Sequence, residues 1–262
     1  MDFLLAIVMI SLGLIGSFFS GLLGIGGAII NYPLLFFVPS WLDVAYFTSQ
    51  EVSSISMFQV FFASLAGVLA FRKKNGKASP LVHKGLVKDM GISILAGSLL
   101  GGFMSKYLAG ESINLVYGIL AVIAVILMVI KNKGREEAAG EISYNRMIAI
   151  PSAFVVGIVS GIVGAGGAFI LIPIMLTVLK IPTRVTIASS LAIVFISAIG
   201  GVLGKLTTGY IPILPGLFTI AGSVLGAPLG SMISAKINVK YLRYGLIVLI
   251  SLTAIKIWIS IL

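Results

Sequence analysis

The chain has 262 residues, 59% of them hydrophobic and only 10% charged, with a mean hydropathy of +1.17. That leaves too little polar surface to clothe a water-soluble globule, so the expectation is a membrane protein with no soluble domain larger than a loop. The formal charge of +10 falls in short loops between apolar runs, as membrane orientation requires, which argues against a nucleic-acid partner; the absence of cysteine excludes disulfides and thiolate chemistry.

Met1-Asp2-Phe3 lacks a basic leader, and the apolar run behind it is longer than a signal core, so it reads as a retained first span. Apolar runs follow at 3–38, 45–70, 85–108, 112–130, 147–179, 185–204, 211–235 and 241–262. The first and fifth are too long for one crossing. A helix over 3–38 would extend about 54 Å against a hydrocarbon core of about 30 Å. Each contains a glycine cluster at which it is expected to break.

Those clusters are copies of one another. Gly21-Leu22-Leu23-Gly24-Ile25-Gly26-Gly27-Ala28, leading to Pro33, returns as Gly161-Ile162-Val163-Gly164-Ala165-Gly166-Gly167-Ala168, leading to Pro173. The duplication continues in the same order with Ser53-Ser54 and Ser189-Ser190, Ala96-Gly97-Ser98 and Ala221-Gly222-Ser223, Tyr117-Gly118 and Tyr244-Gly245. The reading is a single membrane domain over 1–262, with repeat 1 at 1–131, a polar linker at 132–145 and repeat 2 at 146–262.

Charge chooses between topologies. If each cluster turns the chain back, each half crosses five times, and of the 18 Lys and Arg residues only Lys106, Lys205 and Lys256 lie outside. If each merely interrupts a span, each half crosses four times and the asymmetry is weaker. The tally favours inverted halves, although the segments after the breaks are short enough to be re-entrant. The expected fold is an all-α polytopic membrane protein of two homologous, inverted repeats with glycine-broken helices and 8–10 membrane segments.

Gly24, Gly26, Gly27 and Gly164, Gly166, Gly167 can present several backbone N–H groups where a short helix begins. Such a place suits an anion held inside the membrane. Gly97 with Gly101, Gly157 with Gly161 and Gly222 with Gly226 have the four-residue spacing of close helix packing instead. Asn31, Gln50, Glu51, Ser53, Ser54 and Gln59 gather in the first half, and Thr186, Ser189, Ser190 and Ser197 at comparable places in the second. Their hydroxyls and amides could hold an oxyanion weakly enough to release it, or could bond only their own helix backbone.

Glu51 breaks the symmetry as a carboxylate near its span's end, a candidate proton carrier or an interfacial glutamate. Lys205 could attract anions at a cavity mouth or snorkel to the surface. His83, in a basic loop, is expected to be solvated. As the chain's one histidine it has no histidine partner for a metal.

The paired G-x-x-G-x-G-G-A segments leading to proline, the serine pairs, and the later A-G-S and Y-G elements resemble the TauE/SafE family, the toluene sulfonate uptake permeases. The resemblance spans nearly the whole chain. It implies a multi-pass secondary transporter of the prokaryotic cytoplasmic membrane that moves sulfite, sulfonates or related small organic anions, commonly outward. Substrate contacts are then expected at the six cluster glycines, Asn31, Ser53, Ser54, Ser189 and Ser190, with Glu51 coupling a proton.

Three rivals stand beside this reading. An anion channel would need a continuous polar path, and a carrier of non-sulfur carboxylates would use the same donors. A membrane-embedded enzyme lacks support, since no H-E-x-x-H, no G-x-S-x-G and no pair of intramembrane carboxylates is present. Without a Walker motif or a G-x-G-x-x-G dinucleotide fingerprint, no nucleotide or other cofactor is expected. The expected partners are a small anion, a proton and the lipid bilayer.

Overall fold

The computed structural model describes residues 2–23, 28–75, 82–129 and 144–234, with separate positions between 241 and 259. Gly24, Gly26 and Gly27, and most of the expected linker, lie outside the described residues. Among those described there is no strand; the elements are α1 (Asp2–Leu23), α2 (Ala28–Trp41), α3 (Ser49–Asn75), α4 (Lys84–Met104), α5 (Gly110–Val129), α6 (Arg146–Val163), α7 (Ala168–Pro173), α8 (Thr183–Leu206) and α9 (Ile213–Ser234). A 3₁₀ turn, Ser105–Tyr107, follows α4, and a π turn, Ile174–Val178, follows α7.

Six of these helices, from α1, α3, α4, α6, α8 and α9, are long and apolar enough to cross a membrane. In lipid every backbone polar group must be satisfied within the segment, which is why apolar runs of this length become helices. The chain is an all-α polytopic membrane protein. Both over-long runs are divided: α1 ends at Leu23 and α2 begins at Ala28, while α6 ends at Val163 and α7 begins at Ala168.

Glycine determines which helices touch. A Cβ on Gly97 would strike the Phe154 carbonyl, on Gly101 that of Ile158, and on Gly157 that of Ile94, so α4 and α6 lie backbone to backbone. The same contact joins α1 to α9, where Gly222 meets Ile10, Gly226 meets Leu14 and Gly230 meets Phe18. The pairing is reciprocal: each broken helix, α1 or α6, packs on a helix of the other half.

The register of these contacts gives directions. Along α4 and α6 the contacting numbers rise together, so the two helices are parallel. They rise together again along α4 and α8, with Gly91 on Ile196, Gly200 on Leu95 and Gly204 on Leu99. Since α6 and α8 both run with α4, residues 164–182 carry the chain back, and the second glycine cluster is a turn rather than an interruption of one span. Helices α3 and α8 run antiparallel: Gly67 lies over Leu191, Phe61 stacks on Phe195 at 5.5 Å and Gly201 lies over Met57.

At the ends where α4 and α6 begin, Arg146 pairs with Asp89 at 3.0 Å and the Tyr144 hydroxyl donates to the same carboxylate at 2.8 Å. Burial, and then the bond to Asp89, raises the Tyr144 phenol above its ordinary pKa.

Candidate functional site

Helix α6 stops where Gly164 enters the left-handed region at φ +79°, its N–H donating to the Ser160 carbonyl at 2.8 Å. Ala165 donates to the same oxygen at 2.9 Å. Gly166 and Gly167 follow at φ +62° and +78°, conformations that glycine adopts without steric cost. Residues 164–168 are all buried. The N–H groups of Gly166, Gly167 and Ala168 donate to no acceptor among the described residues. A buried, unpaired donor costs about 1–3 kcal/mol, which makes these three N–H groups the candidate contacts for an acceptor.

The end of α6 is gripped from two sides, by α3 and α8. The Ser53 hydroxyl donates to the Ile162 carbonyl at 2.7 Å, and the Ser53 backbone rests on Gly164. The Lys205 ammonium donates to the same Ile162 oxygen at 3.0 Å and to Ser105 Oγ at 2.7 Å. Lys205 is 1% exposed, so it neither snorkels nor sits at an open mouth: α4 and α6 end beside it and cover it.

A second polar cluster lies between α1, α2 and α3. Gln59 Nε2 donates to the Gly13 carbonyl and to Ser17 Oγ, each at 3.3 Å, which leaves Oε1 without a partner. Asn31, 1% exposed, lies against Gly16 with both amide atoms unpaired. The Ser56 and Ser197 hydroxyls are also buried and unpaired. The α3–α8 register places residues 59 and 197 at the same level, close to the Phe61–Phe195 stack.

The family model described as sulfite exporter TauE/SafE matches residues 9–257. The chain belongs to the TauE/SafE family. This TauE/SafE protein is 27% identical over 251 residues to the probable membrane transporter protein YunE of Bacillus subtilis strain 168, covering 89% of this chain and 90% of that one. It is 27% identical over 253 residues to a probable membrane transporter protein of Methanocaldococcus jannaschii, covering 92% of this chain and 89% of the relative. No solved structure matches it. It is a membrane transporter of its family, and these relatives bear the names of transporters, not of enzymes.

The structure separates residues that the sequence grouped in this TauE/SafE transporter. Because α3 and α8 are antiparallel, Ser53 and Ser189 lie toward opposite ends of the pair. Ser189 Oγ accepts the His83 N–H at 3.1 Å, while His83 Nδ1 accepts from the Leu86 N–H at 3.0 Å and caps α4. His83 is thus a half-buried helix cap and not a solvated loop residue. Ser54 bonds the Gln50 carbonyl at 3.0 Å and Ser190 that of Ile187 at 3.0 Å, both within their own helices.

Glu51 forms a capping box with Thr48. Its carboxylate accepts from the Thr48 N–H at 2.8 Å and hydroxyl at 2.9 Å, and its own N–H reaches Thr48 Oγ1 at 3.3 Å. The T-x-x-E spacing carried that signal in the sequence. Ser17 and Ser105 carried none, because helix pairing alone brings them to Gln59 and Lys205.

Proposed function

We propose that this TauE/SafE transporter moves small sulfur-containing anions, sulfite, sulfonates or related organic anions, outward across the cytoplasmic membrane as a secondary transporter working by alternating access. The observation that carries the reading is the run of buried backbone donors at Gly166, Gly167 and Ala168, which find no acceptor among the described residues. Fixed N–H donors in a water-poor setting favour an oxyanion strongly and hold it without a full counter-charge on every oxygen. The family's description as sulfite exporter favours the same substrate class and direction, and the names of the relatives favour transport.

Inverted repeats fit this mechanism. Helices α3 and α8 carry the duplicated serine pairs and cross antiparallel, as equivalent helices related by an axis in the membrane plane do. Such a pair of halves can rock about a site at the breaks.

A binding screen of the purified chain against sulfite, thiosulfate, taurine, sulfoacetate and simple carboxylates tests the substrate class, read by thermal shift and calorimetry. At least one sulfur oxyanion is expected to raise the melting temperature at concentrations where the carboxylates do not. Stabilisation by carboxylates alone would reassign the substrate.

Glu51 is proposed as the proton-coupling group, and its capping role makes the test clean. Glutamine serves at this capping position, so Glu51→Gln should keep the fold, whereas Glu51→Ala should cost about 0.5–2 kcal/mol. In proteoliposomes the Gln variant is expected to retain substrate counterflow and lose its response to an imposed pH gradient. An unchanged response makes Glu51 a helix cap and moves the coupling ion elsewhere.

A further inference from the structure

Lys205 differs from the other described basic side chains. Lys84, Lys88, Lys106, Arg146 and Lys180 are exposed, whereas Lys205 is sealed within the helix ends at 1% exposure. Its two hydrogen-bond partners, Ser105 Oγ at 2.7 Å and the Ile162 carbonyl at 3.0 Å, are neutral. The ion pair formed among the described residues, Arg146 with Asp89, is at the opposite ends of α4 and α6.

A buried cation without an anion is costly, and an apolar side chain of similar size is ordinarily the more stable choice. The carbonyl end of α6 offsets part of that cost, but a helix terminus carries only about half an elementary charge. A lysine at this place, where an apolar side chain would pack more stably, therefore points to an anionic ligand that pairs with its charge.

We propose that Lys205 supplies the one fixed positive charge of the anion site at the second helix break, so that the species transported is a monoanion. The proposal rests on the anion reading above. A monoanion beside Lys205 leaves a neutral pair in a low-dielectric interior. A dianion would bring one uncompensated negative charge into it, a penalty that neutral donors such as Ser53 and Ser105 relieve only in part. The anion takes the place now held by the Ile162 oxygen on Nζ.

The test uses the purified full chain with methanesulfonate and acetate as monoanions and sulfate and thiosulfate as dianions, read by thermal shift and calorimetry. Wild type is expected to bind methanesulfonate more tightly than either dianion. Lys205→Gln keeps a neutral donor, on a side chain one atom shorter, and carries no charge. It should bind methanesulfonate about 30-fold or more weakly while melting, without ligand, close to wild type.

Equal binding by Lys205→Gln would make Lys205 a cap for the carbonyl end of α6 and overturn the proposal. Tighter binding of sulfate or thiosulfate by wild type would overturn the charge assignment while leaving an anion transporter. Absence of binding by any anion, whatever its charge, would remove the anion reading and this proposal together. Should Lys205→Gln fail to fold, the wild-type ranking of monoanions against dianions decides, together with Lys205→Arg, which is expected to keep it.

Discussion

Gly164→Ala is expected to cost about twice as much stability as Gly209→Ala, although the two glycines have the same backbone conformation. Both have φ +79°, where an L side chain costs about 1–2 kcal/mol. At Gly209 nothing lies within 4 Å of the added Cβ, so that strain is the whole effect. At Gly164 the Cβ would meet the Ser53 carbonyl, and forcing atoms into a filled interior adds about 1–3 kcal/mol. The sum is a large part of a typical domain stability of about 5–15 kcal/mol. Reversible unfolding in mixed micelles measures both variants. Equal costs would mean that the turn after α6 is not held against α3, and the site's rigid frame would have to be sought elsewhere.

Asn31→Leu is expected to separate stability from function. The Asn31 amide is buried with neither its donor nor its acceptor paired, and each such group costs about 1–3 kcal/mol relative to an apolar side chain of similar shape. Replacing it should leave the unfolding midpoint unchanged or raise it. Transport should fall by about 10-fold or more, since a buried polar group that met the substrate would be gone. Unfolding in detergent and counterflow in proteoliposomes supply the two readings. A destabilised variant with normal transport would make Asn31 a structural residue of the α1–α2–α3 junction and take it out of the site.

Gly164 and Asn31 differ in how much of their setting a stretch of sequence reveals. The glycine clusters were legible because their signal is local. A run such as 147–179 exceeds the membrane thickness, and consecutive glycines supply the positive φ values that end a helix. The four-residue glycine spacings likewise announced close packing, and α4 meets α6 at Gly97, Gly101 and Gly157 as that spacing requires. The polar cluster around Asn31 and Gln59 was visible as composition, but not its unpaired atoms.

By itself, then, the sequence determined an all-α membrane protein, its duplicated glycine breaks and its membership in a transporter family, since apolar length, backbone freedom and repeated motifs are properties of short stretches of chain. Tertiary structure fixed the parallel run of α6 and α8 that the charge tally favours, and alone decided that Ser189 accepts the His83 N–H and that Lys205 is sealed against Ile162 and Ser105. Those outcomes depend on which helix faces which across separations of 40 residues or more, such as the 43 from Ile162 to Lys205 and the 100 from Ser105 to Lys205. Partners so far apart along the chain leave no local pattern, because it is the packing of glycine-lined helices that brings them together.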